Sequence, residues 1–142
     1  MRCFADCTTS NHRKVIVLAE NSRIARFDNA GLARHHVTKF DGCVNCAGRR
    51  ADFVVSDENG HQVIVELKGR AVDDAVKQIS NTLSYLKSES LIKERTSALI
   101  VCSKVPLGVS SVQRAVLKLR GNGVHHTKVK CREWRGTLVD LF

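Results

Sequence analysis

The chain has 142 residues, 43% apolar and 26% charged, which suits one soluble domain with its own core and leaves little room for a second. No apolar run approaches the ~20 residues of a membrane span, and Met1-Arg2-Cys3-Phe4-Ala5-Asp6 lacks the apolar stretch of a secretory signal, so membrane proteins are excluded and a cytoplasmic setting is expected. The net charge of +9 directs attention to a polyanion, because each neutralised phosphate releases counterions and adds salt-sensitive affinity.

In chain order, residues 1–49 read as a β-rich N-terminal part, with strands expected at Lys14 to Ala19, Arg23 to Phe27 and Arg34 to Phe40, although residues 31–36 also suit a helical turn. Ala51 to Ser56 and Gln62 to Lys68 are two strand-like runs around Asp57-Glu58-Asn59-Gly60, whose Asn-Gly marks a hairpin turn. Residues 71–88 place Val72, Ala75, Val76, Ile79, Leu83 and Leu86 on one helical stripe, with Asp73 and Asp74 where the helix dipole favours acids. Ser97 to Cys102 is a uniform apolar run, as a buried parallel strand requires, so residues 50–102 make a hairpin continued into a βαβ unit. A second helix over Ser111 to Arg120, stopped by Gly121, and strands at Lys128 to Trp134 and Thr137 to Phe142 complete residues 103–142. The expected fold class is α/β (α+β): a central mixed β-sheet with flanking helices, in a single domain spanning residues 1–142.

The hairpin carries the chemistry. With a three-residue loop, Glu58 to Gly60, and Gly60 in the left-handed conformation, Asp52 falls directly opposite Glu66. Ala51, Phe53, Val55, Val63, Val65 and Leu67 then form a wholly apolar face, and Asp52, Glu66 and Lys68 gather at one end of the other. Two carboxylates about 5 Å apart across a hairpin repel, and a cation between them offsets the cost. Hard oxygen ligands select Mg²⁺ or Mn²⁺. The Lys68 ammonium is placed to orient an attacking water or to stabilise charge on a phosphate, so a phosphodiester is the substrate that uses all three groups.

Arg50-Ala51-Asp52-Phe53-Val54-Val55, a turn, Val63-Ile64-Val65-Glu66-Leu67-Lys68-Gly69 and a following helix with a glutamine resemble the PD-(D/E)XK nuclease superfamily, which includes restriction endonucleases and Holliday-junction resolvases. The resemblance covers residues 50 to about 102. It implies a restriction-endonuclease-like core and a metal-dependent endonuclease, with Asp52, Glu66 and the backbone carbonyl of Leu67 as metal ligands, Lys68 as the catalytic lysine and Gln78 beside the active site. Ala51 replaces the motif's proline. The superfamily's opening helix with an extra acid has no counterpart in the strand-like residues 13–40, which leaves Glu20 and Asp41 as candidates for that acid.

Arg49, Arg50, Arg70, Arg114 and Lys118 are candidate phosphate contacts, flanking the site or lying on the polar face of the second helix. DNA is favoured over RNA, although both present the same phosphodiester, and a homodimer is one way for so small a nuclease to cut both strands. Cys43-x-x-Cys46 is the one tight cysteine pair and a candidate structural Zn²⁺ site, but no second ligand pair is evident, so free buried thiols are preferred there and at Cys102 and Cys131. The adjacent histidines 35/36 and 125/126 point to opposite strand faces and are read as surface residues. The rival readings are a non-catalytic nucleic-acid-binding module on a nuclease-like fold and a zinc-stabilised interaction protein.

Overall fold

The computed structural model describes residues 2–67, 71–103 and 109–142. The strands are β1 (Thr8–Asn11), β2 (Val15–Glu20), β3 (Arg23–Asp28), β4 (His35–Lys39), β5 (Phe53–Ser56), β6 (His61–Glu66), β7 (Arg95–Cys102), β8 (Thr127–Cys131) and β9 (Glu133–Gly136), and the helices are α1 (Val72–Ser88) and α2 (Val109–Gly121). Six strands form a mixed sheet in the order β1-β4-β5-β6-β7-β8, and β2, β3 and β9 form a smaller one. The protein is thus an α+β fold built on a central mixed sheet.

The β5–β6 hairpin has the expected register, Phe53 opposite Val65 through to Ser56 opposite Gln62. Gly60 closes the turn at φ +85°, a conformation that glycine adopts without steric cost. From β6 the chain crosses through α1 to β7, which pairs with β6 in parallel from His61–Arg95 to Glu66–Ile100, and through α2 to β8, again parallel. Asp73 and Asp74 occupy the first turn of α1, and Lys118 and Arg120 the last turn of α2, so each helix carries charges that complement its dipole.

Both faces of the central sheet are covered. Val54, Ile64, Ala98 and Ile100 pack under α1 and α2, together with Val76, Ile79, Leu83 and Leu119. Val55, Val63, Val65, Leu67, Leu99 and Val101 pack against Ile16, Leu18, Ala25 and Phe27 of the small sheet and against Trp134, Leu138 and Leu141. Each Val, Leu, Ile or Phe side chain among them contributes about 1.5–3 kcal/mol when fully buried. The expectation of one packed and one working face is therefore corrected: the continuous apolar text of β6 and β7 serves two cores, and polar chemistry is confined to the strand ends.

Three further expectations change. Lys128 to Trp134 is not one strand, because Arg132 takes φ +67° and divides β8 from β9, which crosses to the small sheet and pairs in parallel with β3, Ile24 opposite Glu133. Thr137 to Phe142 is not a strand: Leu138–Leu141 forms a 3₁₀ helix under a capping box in which the Thr137 N–H donates to the Asp140 carboxylate at 2.7 Å, and this local competitor outweighs the β-pattern. His35 and His36 do point to opposite sides of β4, but His35 is buried rather than on the surface, its Nδ1 lying 3.1 Å from the Ala33 carbonyl. Among the described residues no helix is long and apolar enough to cross a membrane.

Candidate functional site

Asp52 lies just before β5 and Glu66 closes β6, which brings the two acids to the same end of the hairpin. They are 2% and 0% exposed. Asp52 is not squarely opposite Glu66 as the ideal ladder requires. Its N–H donates to the carbonyl of Val65 at 3.1 Å, the residue paired with Phe53, so two residues of one strand face one of the other. This is the arrangement of a β-bulge, which re-aims side chains next to functional sites. A consequence is visible at Ala51, which packs with the helix-side core rather than with the apolar face assigned to it from alternation.

The bulge is fixed from three sides. The Asp52 Oδ2 accepts the N–H of Leu67 at 2.6 Å, which clamps the peptide just after Glu66 to the Asp52 carboxylate. The Asp52 carbonyl accepts the N–H groups of Phe40 at 2.8 Å and Asp41 at 3.3 Å. From α1, Thr82 Oγ1 accepts the N–H of Ala51 at 2.8 Å, Gln78 Nε2 donates to the Arg50 carbonyl at 3.3 Å, and Asn81 Nδ2 donates to the carbonyls of Ala47 and Arg49. Gln78 is therefore positioned beside the site, where its amide holds the chain two residues before Asp52. Thr82 and Asn81 share this task and were missed, although Gln78, Asn81 and Thr82 stand at helical spacing on one flank of α1.

Of the two candidates for an extra acid, Asp41 is tied to the site: it follows β4 closely, its N–H bonds the Asp52 carbonyl, and its carboxylate lies 3.5 Å from Nε of Arg50. Glu20 ends β2 in the small sheet, opposite Arg23. It follows Ile16 and Leu18 in alternation, on the face of β2 that turns toward the central sheet. Lys68 and Arg70 lie outside the described residues. Among the described residues no group of three or more histidines, cysteines and acids forms a metal cluster.

The candidate phosphate contacts separate into distinct roles. Arg50 donates to the Val44 carbonyl at 3.0 Å and its Nε lies 3.5 Å from the Asp41 carboxylate, which ties it to the segment before β5. Arg49 forms an exposed pair with Asp74 at 2.8 Å. Arg114 and Lys118 face solvent on α2, beside Lys77 of α1.

The reading of Cys43 as a free buried thiol is corrected, and with it the candidate Cys43–Cys46 zinc pair. Cys43 is bonded to Cys7, with an S–S distance of 2.11 Å, which removes it as a thiolate ligand. Burial pushes the Cys46 thiol pKa up, partly opposed by Arg50. Cys102 is a packed thiol, its pKa raised by burial and then by Cys131.

Compared with known proteins, the chain matches no family model, no curated protein and no solved structure.

Proposed function

We propose that the protein is a Mg²⁺- or Mn²⁺-dependent endonuclease of the PD-(D/E)XK type, with a restriction-endonuclease-like core, hydrolysing phosphodiester bonds in DNA in preference to RNA. The observation that carries this reading is the meeting of two buried acids, Asp52 and Glu66, at the end of a hairpin whose body is packed on both faces. Burying two carboxylates costs several kcal/mol each, and a bulge, a clamp on the Leu67 N–H and three side chains from α1 hold one of them there.

The donor set fits the proposed ion. Mg²⁺ takes one or two carboxylates and keeps several waters, which Asp52, Glu66 and the Leu67 carbonyl supply without a larger cluster. When bound, such an ion supplies Lewis-acid polarisation of the phosphoryl oxygen and lowers the pKa of an attacking water. The chain's part is to hold Asp52 and Glu66 at the same end of the hairpin, with Lys68, two residues beyond Glu66 in the sequence, as the candidate catalytic lysine. Asp41, paired with Arg50, braces the Asp52 backbone from the β4 side through its N–H.

The test is cleavage of plasmid, linear, branched and single-stranded DNA, and of RNA, with Mg²⁺, Mn²⁺ or EDTA, comparing wild type with Glu66→Ala. The expected result is metal-dependent cleavage of DNA that Glu66→Ala abolishes. Binding without cleavage would replace this reading with a non-catalytic nucleic-acid-binding module.

A further inference from the structure

α1 and α2 each follow a strand of the parallel set and pack side by side over one face of the central sheet. Between them runs a groove of about 320 Å³ lined by Asp73, Val76 and Lys77 of α1 and by Arg114, Ala115 and Lys118 of α2. Val76 and Ala115 are buried and make an apolar floor, while the three cations are exposed on the walls. Among the described residues none of the three cations forms an ion pair, and the neighbouring acid Asp74 is taken by Arg49. Arg114 and Lys118 stand one turn apart on α2, a like-charge spacing that disfavours a helix by itself, and Lys77 adds a third positive charge to the same cleft. Among the described lining residues Asp73 is the acid that offsets them.

The groove also has a direction. Glu66 closes β6 and α1 begins at Val72, so Asp73 and Lys77 occupy the first two turns of α1, at the end of the helical layer nearest the paired acids. Arg114 and Lys118 extend the line into the second and third turns of α2. Helical rise spaces such side chains at about 5.4 Å per turn, on rigid elements that need no ordering when a charged polymer arrives.

We propose that this groove carries the phosphodiester backbone of duplex DNA leading away from the Asp52–Glu66 site, with Lys77, Arg114 and Lys118 each neutralising one phosphate. This inference rests on the nuclease reading and adds the path of the substrate. The test is equilibrium binding of duplex DNA followed by fluorescence anisotropy across a KCl series, without divalent metal. Wild type is compared with the triple variant Lys77→Ala/Arg114→Ala/Lys118→Ala and with Arg13→Ala/Lys14→Ala/Lys128→Ala, which removes equal charge from exposed positions elsewhere. Loss of three phosphate contacts lowers the slope of log K against log[salt] by about 2.7, at about 0.9 per contact, and the single variant Lys118→Ala lowers it by about 0.9, while the control keeps the wild-type slope. If the triple variant and the control share one slope, the groove is not the DNA path, and the nuclease reading stands on its own cleavage test. If wild type fails to bind duplex DNA even at low salt, the nuclease reading fails and this inference falls with it.

Discussion

At the turn end of the β5–β6 hairpin Asp57 is 9% exposed, and at the open end Asp52 is 2% exposed. Asp57 is satisfied by its own turn: Oδ1 accepts the N–H groups of Asn59 at 2.8 Å and His61 at 3.0 Å, and Oδ2 meets the His61 ring at 2.8 Å. Burial works to raise its pKa, but the backbone hydrogen bonds from His61 and Asn59 and the His61 ring outweigh it and hold the carboxyl below the ordinary range. Asp52 accepts the Leu67 N–H at 2.6 Å, a contact across the hairpin rather than within a turn, and shares its end of the hairpin with a second buried acid, Glu66. An acid surrounded by donors stabilises the turn it belongs to, whereas the acid at the open end is, on the proposed function, held for the ion it would bind.

The sharpest way to break this comparison is to neutralise each acid in turn. Asp52→Asn should lower metal-dependent cleavage by about a thousandfold or more, the scale of losing several kcal/mol of transition-state charge stabilisation, with thermal stability unchanged or raised. Asp57→Asn should leave cleavage intact and cost about 1–3 kcal/mol in urea unfolding. It should also flatten the acid limb of the stability profile. A carboxyl whose pKa falls on folding contributes stability that is complete above the unfolded value, about 3.9, and is lost as pH drops through the lower folded value. Measuring unfolding midpoints from neutral pH downward checks this, and equal acid sensitivity in wild type and variant would remove Asp57 from its structural role.

An effect on stability without one on the acids themselves is expected at the strap beside the open end. The Cys7–Cys43 disulfide closes a loop with a sequence separation of 36 and anchors the turn that carries Asp41. Reduction, or Cys7→Ser with Cys43→Ser, should cost roughly 3–4 kcal/mol on the chain-entropy account, read from urea unfolding with and without reductant. The smallest effect belongs to Thr82→Val. This substitution leaves the Ala51 N–H without its acceptor and should cost about 1–2 kcal/mol, with a fall in kcat larger than any change at the turn end, because the bulge at Asp52 loses its support from α1.

The hairpin and the βαβ unit were legible because their signals are local: an Asn-Gly turn, alternation on both sides of it, an acidic first helical turn and an apolar stripe. The pairing of Asp52 with Glu66 followed from that register to within the single step of the bulge. What stayed hidden was non-local. Covering both faces of the central sheet requires β9 to join β3, and nothing in Glu133-Trp134-Arg135-Gly136 announces a partner so far back in the chain. The Cys7–Cys43 bond competes with a nearer cysteine, Cys46, that spacing alone prefers. Thr82 gave no signal apart from its place one turn beyond Gln78, since a threonine in a helix is equally at home bonding its own backbone, as Thr82 also does to the Gln78 carbonyl.

The parallel pairing of β3 with β9, Ile24 against Glu133 and Phe27 against Gly136, has a kinetic consequence. Contacts of such long sequence separation incur their loop-closure entropy before they gain any burial, so they slow folding. The β6-α1-β7 unit can assemble from neighbouring segments, while the small sheet must wait for the last strand. During that interval Ala25, Phe27 and the inward side of β7 lack the cover that Trp134 supplies, and the edge of β3 is open to pairing with another chain. Folding from denaturant should therefore show Trp134 fluorescence reaching its native value after the helical signal, and aggregation during refolding should depend on how long β9 takes to dock.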